Sequence, residues 1–306
     1  MLKAAMQALL RVLVTGGTGF VGRAVIQALQ AEGHIVRCLV RRGSERDLHG
    51  LEALERVEGD VRSPHTLEGA VAGCHVVLHL VGIIREYPQR GVTFESVHLD
   101  GTVNMIEAAA DAGVRRFVHM SALGTRPGAR SRYHQTKWAA EEAVRASQLD
   151  WTIFRPSIIY GPGDGFVSML AGMVHRLPVV PVIGSGQQRL QPVPVEQVAA
   201  GFTGAITRPE TVKQTFAVGG PDAVSMPTLL DLIGAALGRR RVLTFHVPIG
   251  LVRPAAQLLH RLPAFPVTPD QLLMLEEDGV CDPAPFLSTF GLAPVPLEAG
   301  LRRMLR

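Results

Sequence analysis

Apolar residues follow two spacings along this chain, and the two alternate. Short unbroken aliphatic runs such as Val12-Leu-Val-Thr15 give way to stretches where apolar positions recur every three or four residues, as at Ala24, Val25, Ala28 and Leu29. The first texture predicts strands buried on both faces, the second helices with one apolar face. Strands are expected at 12–15, 35–40, 55–58, 75–80, 114–120 and 151–155, with helices between them, among them one that buries Val103, Ile106, Ala109 and Ala110. Regular strand–helix alternation predicts an α/β fold: a doubly wound parallel sheet whose right-handed crossovers put helices on both faces.

After Tyr160 the texture changes. Residues 161–194 are rich in Gly and Pro, and 220–306 hold helical stretches broken by prolines. The expected division is a nucleotide domain over 11–165, with 191–222 returning to it, and a smaller carboxyl-terminal substrate domain from 166–190 and 223–306. Phe216-Ala-Val-Gly219 reads as one more strand of the main sheet. Residues 1–10 read as a helical extension or a misassigned start, too short for a signal peptide. No run of about 18 apolar residues predicts a membrane-spanning helix.

The first strand leads directly into Gly16-Gly-Thr-Gly-Phe-Val-Gly22, which opens the first helix. Glycines at 16, 19 and 22 in a strand-to-helix turn form a phosphate cradle: a tight turn, a close backbone approach, and a helix packed tightly behind it. The unpaired N–H groups of such a helix start, with its partial positive charge, favour a diphosphate. Thr18, Phe20 and Val21 join the glycines as expected cofactor contacts.

The end of the second strand chooses the nucleotide. A carboxylate there would hold a ribose 2′-hydroxyl, but the chain reads Arg41-Arg42-Gly-Ser44. Guanidinium groups match a 2′-phosphate, so NADP(H) is preferred, with NAD(H) still possible. Two solvated surface arginines are the alternative. Asp60 and Val61, after the third strand, are expected at the adenine, with Asp60 accepting from its amino group. Leu80, Val81 and Gly82, ending the fourth strand, are expected along the ribose and nicotinamide.

The chemical candidate is Tyr133-His-Gln-Thr-Lys137, with Ser121 at the end of the fifth strand. Spacing i, i+4 puts Tyr133 and Lys137 on one helix face, where an ammonium would lower the phenol's pKa and make it a general acid/base. Ser121 would hold the substrate oxygen. The bland alternative is a half-buried Tyr beside a surface Lys. Lysine is scarce here, at Lys3, Lys137 and Lys213 alone, which adds weight to its placement.

Composition narrows the rest. The 306 residues are 47% hydrophobic and 19% charged, enough for a sizeable core, with a formal net charge of +4. The basic residues are scattered and seldom beside aromatics, which argues against nucleic-acid binding. Cys38, Cys74 and Cys281 fit neither a disulfide framework nor a metal site, so no metal is expected and a reducing cytoplasm suits the chain.

These residues resemble the extended short-chain dehydrogenase/reductase family over nearly the whole chain. The matching elements are Thr15–Gly22, Gly59-Asp60, Gly101-Thr102 with Asn104, Ser121, Tyr133 with Lys137, and Arg155-Pro-Ser-Ile-Ile-Tyr-Gly-Pro162. The resemblance implies an NAD(P)-binding Rossmann fold, with Tyr133, Lys137, Pro156, Ser157 and Ile158 also touching the cofactor. Within the family, the chain is similar to the atypical subgroup typified by the NAD(P)H-binding accessory subunit of respiratory complex I. His119-Met-Ser-Ala-Leu-Gly124, Gln191–Val198 and Thr268–Asp278 carry that likeness.

The departures are informative. Ile158 stands where nucleotide-sugar epimerases carry an Asn that contacts the sugar nucleotide, and His98 replaces a family Asn. His98 is titratable and can relay protons, but a core or cofactor-edge histidine is the favoured reading. Only twelve positions separate Ser121 from Tyr133, leaving little loop for a sugar pocket. The segment 247–262 is apolar with basic interruptions and is expected either to cover the substrate pocket or to dock on a membrane surface or protein partner, with Pro254 interrupting any long interfacial helix. Three functions stay open: an NADP(H)-dependent oxidoreductase on an apolar carbonyl or quinone-related compound, a non-catalytic NADPH-binding accessory or assembly protein, and, disfavoured by Ile158, a nucleotide-sugar epimerase/dehydratase. The location expected is cytoplasmic, peripheral at the inner face of the membrane if 247–262 docks there.

Overall fold

A computed structural model describes residues 9–44, 48–51, 53–259 and 267–305. The chain runs β1 (Arg11–Thr15), α1 (Phe20–Ala31), β2 (Ile35–Val40), β3 (Leu54–Glu58), α2 (Glu68–Val71), β4 (Val76–His79), α3 (Gly101–Asp111), β5 (Arg116–Met120), α4 (Arg132–Ala146) and β6 (Asp150–Pro156). It continues through β7 (Ile159–Tyr160), α5 (Phe166–Arg176), β8 (Val179–Ile183), β9 (Val193–Pro194), α6 (Val195–Ala205), β10 (Gln214–Val218) and α7 (Met226–Ala236). Last come β11 (Leu243–Val247), α8 (Ile249–Leu259), α9 (Pro269–Leu275), α10 (Ala284–Phe290) and α11 (Leu297–Leu305).

Among the described residues, seven strands form one sheet in the order β10-β6-β5-β4-β1-β2-β3. Every pairing from β3 to β6 is parallel, with Val12 of β1 opposite Val36 on one side and Val76 on the other. This is the expected doubly wound sheet. Its winding reverses between β1 and β4, the switch point where such sheets bind ligands beyond their carboxyl ends. The strand expected at Phe216 is β10, at the sheet edge beside β6. The helix expected at residues 1–10 lies outside the described residues up to position 8, and Leu9 and Leu10 are irregular. No described helix is long and apolar enough to cross a membrane.

The chain divides into two compact units. The first holds residues 1–120, 139–154 and 199–215. Its core sets Leu13, Val77, Phe117 and Ile153 of the strands against Ala70 and Val71 of α2 and Met105 and Ala109 of α3. Each large apolar side chain buried this way contributes about 1.5–3 kcal/mol. Arg116 of β5 fastens the returning α6–β10 segment: its guanidinium donates to the Ala205 carbonyl at 2.6 Å, Thr211 Oγ1 at 2.9 Å and Thr152 Oγ1 at 2.7 Å. Burial brings its pKa down to about 10, so it stays charged near neutral pH.

The second unit holds residues 121–138, 155–198 and 216–306. Val167, Leu170 and Val174 of α5, Leu229, Leu230 and Ile233 of α7, and Leu297 and Leu301 of α11 close around Tyr160. A Cβ at Gly300 would stand 1.8 Å from the Tyr160 hydroxyl, so α11 seats only with glycine there. β8 and β11 pair in parallel, Val179 opposite Leu243 and Pro181 opposite Phe245. The interruption expected at Pro254 does not occur: α8 runs through it from Ile249 to Leu259. Proline removes one N–H and its hydrogen bond, and the flanking turns carry the helix on.

Candidate functional site

The glycine cradle sits in the first unit, at the carboxyl end of β1. Gly16 adopts φ +76°, a left-handed conformation that turns the chain away from the strand, and Gly19 N–H donates back to its carbonyl at 3.0 Å. Gly19 is the N-cap of α1, and no side chain caps that helix start. Phe20, Val21 and Gly22 form its first turn, whose N–H groups have no partner within the helix. At Gly22 the sequence expectation needs refining. The close approach is to the turn itself, since a Cβ there would lie 2.2 Å from the Gly16 oxygen and 2.6 Å from Gly17 Cα. Gly17, missed in the sequence, is also crowded, by side chains: Cys38 Sγ would stand 2.4 Å and Ile26 Cδ1 2.8 Å from an added Cβ. Burial pushes the Cys38 thiol up to about 11, so it packs as an inert apolar group. A concave turn with no room for a Cβ, opening onto an uncapped helix start, fits a dinucleotide diphosphate.

Arg41 and Arg42 follow β2 and are both exposed. Asp60 has a partner that the sequence did not point to. Arg62 donates to both its carboxylate oxygens, from Nη2 at 2.6 Å and Nε at 3.0 and 3.2 Å, and its own N–H adds a bond at 3.0 Å. Burial alone would raise this carboxyl, but the bonds and charge of Arg62 outweigh it and hold it below the usual range. Val61 is buried, touching Gly101 at the start of α3. Leu80 is buried, Val81 half-buried and Gly82 exposed. His98 is a core residue: it is 1% exposed, and the Ile83 N–H donates to its Nε2 at 3.1 Å, anchoring the loop after β4. Thr15 and Thr102 both bond the His79 ring, at 2.8 and 3.2 Å, a buried polar line absent from the sequence reading.

Ser121, Tyr133 and Lys137 belong to the second unit. Ser121 is 3% exposed and donates to Thr125 Oγ1 at 3.4 Å. Lys137 is 2% exposed, which rules out the solvated surface lysine. The start of α4, which carries Tyr133, is held from two sides. Ser131 Oγ accepts the His134 N–H at 3.2 Å, and the Asp270 carboxylate accepts the N–H groups of Arg132 at 2.7 Å and Tyr133 at 3.1 Å. Where α1 leaves its amino end open, α4 has its own filled by an acidic side chain, an arrangement that favours a fixed support over an anion site. One expectation is corrected here: the net shift of the Tyr133 phenol is upward, to about 12, driven by burial and then by the Asp270 charge.

Asp270 was not singled out in the sequence. It stands just inside α9, after Thr268, which forms a capping box with Gln271. The strand of chain beyond α9 is pinned by ion pairs: Glu277 to Arg126 at 2.8 Å, Glu276 to Arg130 at 3.1 Å and Arg253 at 2.6 Å, and Asp278 to Arg189 at 3.1 Å. Ser157 Oγ donates to the Gly279 carbonyl at 3.2 Å. Pro156 accepts the Leu123 N–H at 2.8 Å, and Ile158 is half-buried against the core of this unit. Gln191 bridges the Gly220 carbonyl and the Cys281 N–H, each at 2.6 Å.

His134 gives the Ser121 loop a pH dependence. Its ring lies under Gly124, where an added Cβ would meet it at 2.9 Å, and Ser131 Oγ bonds its Nδ1 at 3.0 Å. Burial lowers its pKa from 6.5, against the attraction of Glu277 and Asp270 and with the repulsion of Arg126. The folded protein therefore keeps it neutral. Its contribution is intact above the unfolded value of 6.5 and is lost as pH falls below it, because the unfolded chain takes up the proton first. In thermal melts across that range the wild type is expected to lose more stability than His134→Asn; equal slopes would remove His134 from the account.

A doubly wound sheet with a glycine cradle at its switch point defines a dinucleotide-binding protein. The profile of the NAD dependent epimerase/dehydratase family matches residues 12–219, and the chain belongs to that family. That bears out the resemblance read from Thr15–Gly22 and the later motifs. A ceramide reductase of Caulobacter vibrioides is 38% identical over 189 residues, which are 62% of this chain and 58% of that protein, so the match spans less than two thirds of the relative. NADH dehydrogenase [ubiquinone] 1 alpha subcomplex subunit 9, mitochondrial, of Mus musculus is 31% identical over 96% of this chain and 79% of its own. MoeE5 in complex with UDP-glucose and NAD has the same fold, with a TM-score of 0.74 at 22% identity, covering 96% of this chain and 97% of its own.

Proposed function

We propose that this protein is an NADP(H)-dependent reductase of an apolar carbonyl compound, a long-chain lipid ketone or a quinone-related molecule. The observation that carries the reading is the buried Lys137, 2% exposed, one helical turn from Tyr133 on a helix whose start is capped twice. Burying a lysine is costly, so its place one turn from Tyr133 is a specific one. Gly16, Thr18, Gly19 and the first turn of α1 hold the diphosphate. Arg41 and Arg42 take the 2′-phosphate, and a bound nicotinamide supplies the hydride. Ser121 positions the carbonyl oxygen, Tyr133 delivers the proton to it, and Lys137 stabilises the phenolate left behind. Ile158 offers a methyl-rich surface where a sugar-binding Asn would stand, and the similarity to a ceramide reductase supports an apolar substrate. The unpaired cysteines suit a reducing cytoplasmic compartment.

A second reading is favoured by a specific observation: the likeness to a complex I accessory subunit spans 96% of the chain. In that reading NADPH is bound tightly, stabilises the fold and is not turned over. One experiment separates the two. NADPH absorbance is followed with the purified protein after adding quinones, long-chain ketones or sugar nucleotides in turn. Rapid loss with an apolar class, and tighter binding of NADPH than NADH, are the expected results. An absorbance that persists through the panel favours the accessory protein, and oxidation by sugar nucleotides alone overturns the apolar reading.

A further inference from the structure

Between Asp231 and Asp270 the chain has no acidic residue, yet it has five arginines, at 239, 240, 241, 253 and 261. The whole chain is only +4, so this stretch holds the excess and the remainder is close to balance. The same stretch contains β11 and α8 of the second unit, and both present apolar side chains to solvent. Leu243 and Phe245, alternate residues on one face of β11, are 53% and 51% exposed, and Val179, opposite Leu243 on β8, is exposed too. On α8, Leu251 and Leu258 are 69% and 80% exposed. Spacing i, i+7 puts them on one side of the helix, with Pro254 between them, while Ala256 is the residue it buries. α8 is therefore apolar on its solvent side as well as its packed side. A surface helix of a protein that meets only water is normally polar there. Arg240 and Arg241, just before β11, are exposed, and Arg253 of α8 is ion-paired to Glu276.

We infer that the β11–α8 face of the second unit is a docking surface for an anionic lipid bilayer. Leu243, Phe245, Leu251 and Leu258 enter the headgroup boundary, and Arg240 and Arg241 meet the lipid phosphates. Charge complementarity selects this occupant. A stretch with no acid of its own that exposes large aliphatic and aromatic side chains beside two exposed arginines has the composition of an interfacial binding element, and the acids set against it are engaged, Glu276 by Arg253 and Asp231 by the Val242 N–H. The inference does not depend on the reductase reading, because a nucleotide-stabilised accessory protein would carry the same face.

The test is co-sedimentation of the full-length protein with vesicles of phosphatidylcholine alone and of phosphatidylcholine mixed with phosphatidylglycerol. Binding to the mixed vesicles only, weakened by salt, is expected. Arg240→Glu/Arg241→Glu is expected to lose about tenfold or more in partitioning, and Leu251→Glu/Leu258→Glu a similar factor. All four residues are exposed, so both variants should melt and bind NADPH as the wild type does. Intact protein that stays in the supernatant with anionic vesicles, or variants that sediment as well as the wild type, would overturn the inference. So would a dimer, seen by analytical ultracentrifugation without vesicle binding, that Leu258→Glu dissociates, because the face would then be covered by a second copy.

Discussion

Gly22→Ala is expected to abolish measurable NADPH binding and to destabilise the protein by about 3 kcal/mol, the upper part of the range for overpacking a close-packed site. The reason is geometric. The new methyl would meet the Gly16 oxygen at 2.2 Å and Gly17 Cα at 2.6 Å, and both are backbone atoms of the turn that must cradle the diphosphate. Neither can rotate aside like a side chain, so α1 has to shift, and its first-turn N–H groups shift with it. Gly33→Ala is the control. Gly33 has φ +85° but open space around its Cα, so alanine there costs about 1–2 kcal/mol of backbone strain without touching the cradle. Fluorescence titration with NADPH and thermal melts on both variants separate binding from stability. Wild-type NADPH affinity in Gly22→Ala would mean that the turn does not hold the nucleotide.

The cradle was legible because it is local. Strand, glycine spacing and helix follow one another within Arg11–Ala31, so short-range pattern carries the whole element. The central strands were legible for a related reason. Val12-Leu-Val, Val76-Val-Leu and Phe117-Val are buried on both faces and need no alternation to be recognised. Elements of the second unit were harder to read. β8 contains Pro181 and, among the described residues, pairs only with β11, as a strand at a sheet edge can, so its Gly- and Pro-rich neighbourhood hid it. α8 hid behind Pro254 in the same way. Asp60 shows a different limit. Its position after β3 was plain from sequence, but residues two apart in an irregular turn follow no fixed facing rule, so its engagement by Arg62 was not. Asp270 is the largest omission: it meets Tyr133 across 137 residues of sequence, and nothing local to either marks the contact.

Tyr133→Phe is expected to reduce turnover by about 10³-fold, within the span attributed to general acid–base catalysis, while NADPH affinity stays within a few-fold. The phenol of Tyr133 is pushed up to about 12, by burial first and by the Asp270 carboxylate second. It is therefore protonated throughout the neutral range and suited to donating a proton in the direction of carbonyl reduction. The reverse reaction, oxidation of an alcohol, needs the phenolate, so its rate should climb with pH toward the alkaline limit. Asp270→Asn removes the charge. Asparagine keeps one acceptor oxygen, enough for one of the two N–H groups of Arg132 and Tyr133, so the cap on α4 is weakened while the negative charge that raises the phenol is gone. Losing that charge lowers the pKa, so the alkaline rise in alcohol oxidation should move to lower pH while Tyr133→Phe shows no such rise. An unshifted profile in Asp270→Asn would reduce Asp270 to a mechanical cap. Turnover unchanged in Tyr133→Phe would remove Tyr133 from the chemistry and leave the NADPH-stabilised accessory protein as the reading that the fold supports.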